Sequence, residues 1–321
     1  MHTMDALVAQ VRHAWRLLVR SPVFATTAVA SLALGLGANA AIFTVINGLL
    51  LAPTPGIKEM SRLDDIGRTT EGRGFDTTSF PTYQDLVHRD SPFDGVYASR
   101  LEPEAMSLGN SDGAERIYGE VVSASYFDVL GITASAGTFF HTPEERVGVP
   151  LRKVVLSHAF WQSHFGGKAY IAGQELVLNG ERFTVVGVGP AEFHGTTIMR
   201  PDVWVPLTAG ARGLPGDDLL RGRENQWLIM GARLKPGATV AGARAFLDTF
   251  SADLLRAYPE VYRNRGLVAL PASRIPAFGS EFVGPFLALL MAVVALVLLV
   301  ACLNLSGLLL ARATVRAREV A

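Results

Sequence analysis

Hydrophobic and polar positions divide this chain into three kinds of stretch. From Val23 to Ala52, and again from Phe282 to Ala311, no charged residue occurs. A bilayer core of ~30 Å takes ~20 apolar residues in a helix, so each run predicts a transmembrane helix, over 22–52 and 282–311. A cleaved secretory leader would stop being apolar after about 7 to 15 residues, and Ala38-Asn39-Ala40 offers such a cleavage site. The run continues instead through Ile42, Phe43, Val45, Ile46, Leu49, Leu50 and Leu51. A core helix of a soluble protein would be shorter and broken by polar positions.

Ahead of the first run, Leu7, Val11, Trp15 and Leu18 recur at helical spacing, with Arg12, Arg16 and Arg20 on another side. This predicts an amphipathic helix over 1–21 lying in the cytoplasmic interface, with Trp15 at headgroup depth. Ser21-Pro22 then starts a new helix.

Between the runs, over 58–281, short strand-like and helix-like pieces alternate, which predicts a mixed α+β domain. Helices are expected at Ser79–His88, opened by Pro81, at Ser125–Leu130, closed by Gly131, at His158–Phe165, closed by Gly166-Gly167, and at Thr239–Tyr258. Strands are expected at Arg116–Val122, Lys153–Leu156, Asp202–Leu207 and Trp227–Leu234. Glu175–Leu178, Asn179-Gly180 and Arg182–Val188 read as a hairpin with a two-residue turn.

Charge sets orientation and excludes one class of partner. Lys+Arg and Asp+Glu are both 29, so the formal net charge is +0 and nothing favours nucleic acid. Arginines follow the second run at 312, 316 and 318 as they precede the first at 12, 16 and 20. The positive-inside rule therefore places both termini, including the basic tail 312–321, in the cytoplasm and the 58–281 domain outside. A hydrophobic fraction of 49 % with a mean hydropathy of +0.28 fits a membrane protein with a large polar part. Cys302, the single cysteine, lies in the second run, so the outer domain must hold itself by packing. Within the runs, Ala33, Gly37 and Ala41 fall four apart, and Asn304, Gly307 and Ala311 supply polar and small positions in the second. These are the candidate helix-packing residues.

The search for chemistry is negative. Gly167-Lys168 lacks the first glycine and the following Ser or Thr of a phosphate loop, having Gln162 and Ala169 there. Gly187-Val188-Gly189 runs into Pro190 instead of a helix. His158 and His164 have no metal-site spacing, and no nucleophile elbow occurs. The acidic pairs Asp64-Asp65 and Glu144-Glu145 read as solvated faces. No catalytic residue, cofactor or metal is expected, and the chain is expected not to be an enzyme.

Leu32–Phe43, Val121–Gly131, Val155-Leu156-Ser157 with Phe160-Trp161 and Phe165-Gly166-Gly167, Leu178-Asn179-Gly180 with Phe183–Val188, and Trp204–Leu207 together resemble the MacB/FtsX-like ABC permeases. The branch they most resemble is the duplicated orphan permeases. Ala301–Leu305, Leu310–Ala313 and Arg318-Glu319 resemble that family's second span and its basic exit. The resemblance implies a membrane protein of the plasma (inner) membrane, with two transmembrane α-helices enclosing an α+β extracytoplasmic MacB-like core domain. It implies a permease component that transmits movement, driven by a separate cytoplasmic ABC-type ATPase, to the outer domain in transport or efflux. A homodimer or a further permease chain, and a periplasmic partner, are implied with it. Relatives continue past the residues that match Glu319 into a coupling segment and more spans. The sequence is therefore expected to be the N-terminal portion of such a permease or to take its remaining spans from another polypeptide. The competing function is a two-span anchored protein whose outer domain binds or scaffolds without transport.

Overall fold

The computed structural model describes residues 22–46, 55–110, 113–196, 199–272, 285–286, 288–300, 302–303 and 306–307. The chain falls into two compact units, Leu49–Glu281 and the pair Met1–Gly48 with Phe282–Ala321. In the second of these, α1 (Pro22–Ile46) is a 25-residue helix without a charge, and residues 288–300 are helical. Among the described residues taken alone, no helix is long and apolar enough to cross a membrane. The backbone of Pro22–Ile46 is one continuous helix. The expected interfacial helix over 1–21 and the tail 312–321 lie outside the described residues.

The Leu49–Glu281 unit begins with β1 (Leu63–Thr70), β2 (Arg73–Asp76), α2 (Phe80–Val87), β3 (Phe93–Arg100), β4 (Glu104–Asn110) and β5 (Gly113–Val122). It continues with α3 (Tyr126–Leu130), β6 (Ala136–Gly137), β7 (Lys153–Leu156), α4 (His158–Phe165), β8 (Glu175–Leu178), β9 (Glu181–Val188) and β10 (Val203–Pro206). The last elements are α5 (Asp217–Arg221), β11 (Leu228–Leu234), α6 (Val240–Ala257), α7 (Pro259–Tyr262) and β12 (Arg265–Pro271).

Local chemistry fixes many of these ends. The Ser79, Ser157 and Thr239 hydroxyls accept from the backbone N–H of Thr82, Phe160 and Gly242, capping α2, α4 and α6. Asn179 and Gly180 take positive φ of 53° and 84°, which the two-residue turn between β8 and β9 requires. Strands β1 to β4 and β12 carry no clear alternation in the sequence and emerge only in the fold.

The sheet runs β10-β7-β9-β8-β4-β5-β3-β11-β1-β12, with β10 also pairing β5 in parallel. That last pairing closes β5, β4, β8, β9, β7 and β10 into a small barrel. Its interior is filled by Met106, Ile117, Leu176, Phe183, Val185 and Val203, among others. The remaining strands, β3-β11-β1-β12, form an antiparallel lobe. One face packs Val96, Ala98, Met230, Ala232 and Ile66 against Tyr83 and Leu86 of α2 and Leu247 and Phe250 of α6. The open edge of β12 is covered by α6: Leu267 N–H donates to Ser251 Oγ at 2.9 Å, and Arg244 Nε donates to Ala269 O at 3.0 Å. Among the described residues the barrel and the lobe share one strand-register pair, Ser99↔Val122, reinforced by Ser123 N–H to Ala98 O at 2.7 Å.

Candidate functional site

Successive residues of β5 alternate between the barrel interior and its outer wall, so Val121 points inward while Glu120 and Val122 point out. The outer wall here is not solvent. It faces a second core made by Tyr97 of β3, Tyr126 and Phe127 of α3, and Phe139, Phe193 and Trp204. Glu120 is thus 0 % exposed. Trp204 is its register partner on β10, and the indole Nε1–H donates to Glu120 Oε2 at 2.8 Å. The Tyr126 hydroxyl lies 3.4 Å from Oε1 and 3.2 Å from Thr196 Oγ1. Gly195, at φ 90°, leaves room for the carboxyl: a Cβ there would sit 2.9 Å from Oε2. Burial pushes the Glu120 carboxyl up to about 7, against the lowering pull of the Trp204 and Tyr126 hydrogen bonds.

The polar line continues from Thr196 to Tyr97, whose phenol burial drives well above its usual range. Tyr97 reaches over β11 where Gly231 has no side chain, and any Cβ there would collide with the phenol ring. A cavity of about 30 Å³ lined by Leu63, Asp65, Tyr97, Leu130, Thr196 and Met230 closes this end, with room for about two waters.

A second carboxyl lies on the other side of the same junction. Glu145 Oε2 accepts from Ala124 N–H at 3.0 Å, while Oε1 is buried with no hydrogen-bond partner among the described residues. Burial pushes this group, too, up to about 7. It also contributes to raising Tyr83, whose phenol is pushed up to about 12 chiefly by desolvation and which bonds Ser125 Oγ at 3.0 Å.

These findings correct the reading of the acidic pairs as solvated faces. Asp64 is 1 % exposed, on the helix-covered face of β1, and its carboxyl is raised by desolvation against the nearby Arg244. Glu144 is exposed and paired with Lys153 at 2.6 Å, as expected, but its neighbour Glu145 turns inward. Adjacent residues diverge: on β1 the strand alternation sends Asp64 into the core, and at the end of the short turn Thr142–Glu144 the chain direction changes and turns Glu145 inward.

The helix-packing candidates belong to the other compact unit. Ala33, Gly37 and Ala41 are exposed along α1, and a Cβ on Gly37 or on Gly307 would meet nothing within 4 Å. Asn304 and Ala311 lie outside the described residues. Among the side chains described, those of α1 withdrawn from solvent are Gly35, Asn39 and Ile42, and on residues 288–300 they are Leu290, Val294 and Val297. Each set steps by four and then three residues, the spacing of one helical face.

The family model for the MacB-like periplasmic core domain matches residues 25–249. Among solved structures, a domain of a putative permease protein from Porphyromonas gingivalis superposes with a TM-score of 0.51 at 14 % identity, covering 68 % of this chain and 94 % of that one. The periplasmic region of MacB from Actinobacillus actinomycetemcomitans gives 0.47 at 13 % identity, covering 68 % and 91 %. The extracellular domain of the noncanonic ABC-type transporter YknZ from Gram-positive bacteria gives 0.43 at 13 %, covering 65 % and 99 %. No curated protein sequence matches. At 14 % identity the Porphyromonas gingivalis structure speaks to the fold alone, and the family assignment rests on the sequence model, whose match runs from inside α1 into α6. The chain belongs to the MacB-like periplasmic core domain family of the ABC-type permeases.

Proposed function

We propose that the chain is the permease component of a MacB/FtsX-type ABC system, in which a separate cytoplasmic ATPase moves the membrane helices and the extracytoplasmic domain receives that movement. The observation that carries this reading is where the chain enters and leaves the domain. It arrives from α1 at β1 and departs toward the second apolar run from β12. These two strands pair along Asp64↔Pro271 to Thr70↔Arg265, and Ala272 N–H donates to Leu63 O at 2.9 Å. A relative displacement of the two apolar helices therefore acts on one hydrogen-bonded strand pair, not on remote parts of the fold.

The 25 residues of α1 rise ~37 Å at 1.5 Å per residue, more than the ~30 Å of a bilayer core. With arginines outside both runs, this reading has both termini in the cytoplasm of the inner membrane. Single cysteines at Ser111 and at Ala321, in a Cys302→Ser background, test it on intact spheroplasts with a membrane-impermeant thiol reagent. Labelling at 111 with protection at 321 is expected, and the reverse pattern refutes the topology. Stimulation of a partner ATPase by the chain, extended through any further spans the gene encodes, tests the permease role. No stimulation alongside the expected topology would favour an anchored scaffold.

A further inference from the structure

Arg233 lies on β11, on the face of the lobe that carries α3, and is 7 % exposed. Its guanidinium has no carboxylate as its main partner. Nε donates to Val129 O at 2.6 Å, Nη2 to Lys58 O at 2.8 Å and Nη1 to Glu59 O at 3.4 Å. The Glu59 carboxylate, largely exposed, stands 3.8 Å away. One buried cation therefore joins three backbone segments: the last turn of α3, its own strand, and the residues that arrive from α1. The arriving segment is held again by Lys58 N–H to Leu130 O at 3.3 Å, and it turns at Glu59 through φ 46°, a left-handed conformation unusual for a glutamate. Arg62 holds its other end to β11, with Nε and Nη2 on Leu234 O at 3.0 and 2.6 Å.

α3 is a single turn buried on nearly every side, and its two ends touch different things. Its C-terminal end meets the Arg233 clamp. Its N-terminal residues meet the barrel wall: the Tyr126 hydroxyl at Glu120, and the Phe127 ring edge-on to Trp204 at 5.7 Å. Tyr126 also packs edge-on against Tyr97 at 5.2 Å. The strand-to-strand path between lobe and barrel is narrow by comparison, with Ser99↔Val122 as its register pair. Cations at helix C-termini are common as simple caps. A cap alone does not need to grip Lys58 and Glu59, which belong to a different segment.

We infer that α3 is a strut carrying displacement of residues 56–62 into the barrel at Glu120 and Trp204, with Arg233 as the residue that positions it. This rests on the permease reading for the source of the displacement, but not for the strut itself.

Amide hydrogen exchange on the full chain in lipid nanodiscs tests the inference without any ATPase. Arg233→Met keeps the bulk and removes the donors, while Arg62→Met loosens the same arriving segment without touching α3. In Arg233→Met, exchange should rise about tenfold or more, the loss expected for charged hydrogen bonds, in three places together: 56–62, 126–132 and 203–207. Arg62→Met should affect 56–62 only. Faster exchange confined to 56–62 in Arg233→Met would overturn the strut and leave Arg233 a local clamp. Should Arg233→Met fail to fold, Arg233→Lys gives the same reading through a cycle with Tyr126→Phe. Its effect at 203–207 should shrink when the far-end hydroxyl is gone, and a fully additive result would sink the inference. A proven strut without ATPase stimulation would discard the transport reading alone. A failed strut would leave that reading intact with another route for the movement.

Discussion

Replacing Glu120 by glutamine should make the extracytoplasmic domain more stable at pH 8 and leave it nearly unchanged at pH 4.5. The carboxyl titrates near 4.5 when unfolded and is pushed up to about 7 in the fold, a gap that corresponds to roughly 3 kcal/mol. Between those values the folded state holds the proton more tightly than the unfolded one, so stability falls as pH rises. Above pH 7 both states are ionised and the full penalty is present; below 4.5 it is absent. Glutamine cannot ionise, yet its carbonyl can keep the Trp204 indole N–H, and its amide can donate to the Tyr126 hydroxyl. Near 2 to 4 °C per kcal/mol for a domain of this size, the gain at pH 8 is about 6 to 12 °C in Tm. Thermal unfolding of the full chain, followed by tryptophan fluorescence from pH 4.5 to 8.5, measures it. Glu145 contributes a slope of its own in the same window, so the test is the difference between variant and wild type. Parallel pH profiles for the two would refute a buried, protonatable Glu120, as would a carboxylic-acid infrared band at pH 6 that survives the substitution unchanged.

Gly131 closes α3 at φ 69° with a Cβ position 3.1 Å from Lys58 Cβ, so Gly131→Ala should cost about 1–2 kcal/mol, with Gly131→Asn milder; denaturant melts compare them. Ser251→Ala strips Leu267 N–H of its partner on the β12 edge and should cost about 1–3 kcal/mol, seen as faster exchange at that amide. Gly35→Leu, on the withdrawn face of α1, should destabilise the chain itself in detergent, whereas Gly37→Leu should act only on contact with another helix. Equal thermal losses in the two would show that these faces are not distinct.

What could be read from the sequence was what local chemistry encodes. Asn179-Gly180 specifies its turn, Ser79, Ser157 and Thr239 cap the helices they precede, and Gly131 and Gly166 end theirs in left-handed backbone. β7 and α4 run over the residues expected for them. β1, by contrast, reads Leu-Asp-Asp-Ile-Gly-Arg-Thr-Thr, and its place in the sheet comes from being flanked by β11 and β12, a tertiary decision that outweighs its propensities. The junction site was hidden for a similar reason. Glu120 stands at an outward position of β5, where period-two patterning assigns it to water, and only the packing of the lobe against the barrel turns that outer wall into a core. Arg233 gave no signal either, since a lone arginine in a strand reads as an edge or a surface. The charge-free run marked α1, and the small-residue spacing within it singled out Ala33, Gly37 and Ala41, which stand exposed, while the face withdrawn from solvent carries Gly35 and Asn39.

Two of the raised carboxyls bear on one short segment, residues 120–126. Glu120 opens it on β5, Glu145 grips its Ala124 N–H, and Tyr126 ends it as the first residue of α3. Hydrophobic residues in the same places would avoid the desolvation cost and hold lobe and barrel together more firmly. Beside the aromatic packing of Tyr97, Tyr126, Phe127 and Trp204, the junction holds a narrow ladder, a few hydroxyl bonds from Ser123 and Ser125, and two carboxyls that stay neutral only near or below pH 7. By contrast, the barrel interior is continuous apolar packing. Ionisation of the two carboxyls above pH 7 weakens the folded packing around them, so when the domain yields to a pull on β1 and β12, residues 120–126 should open more readily at pH 8 than at pH 6, seen as faster amide exchange there.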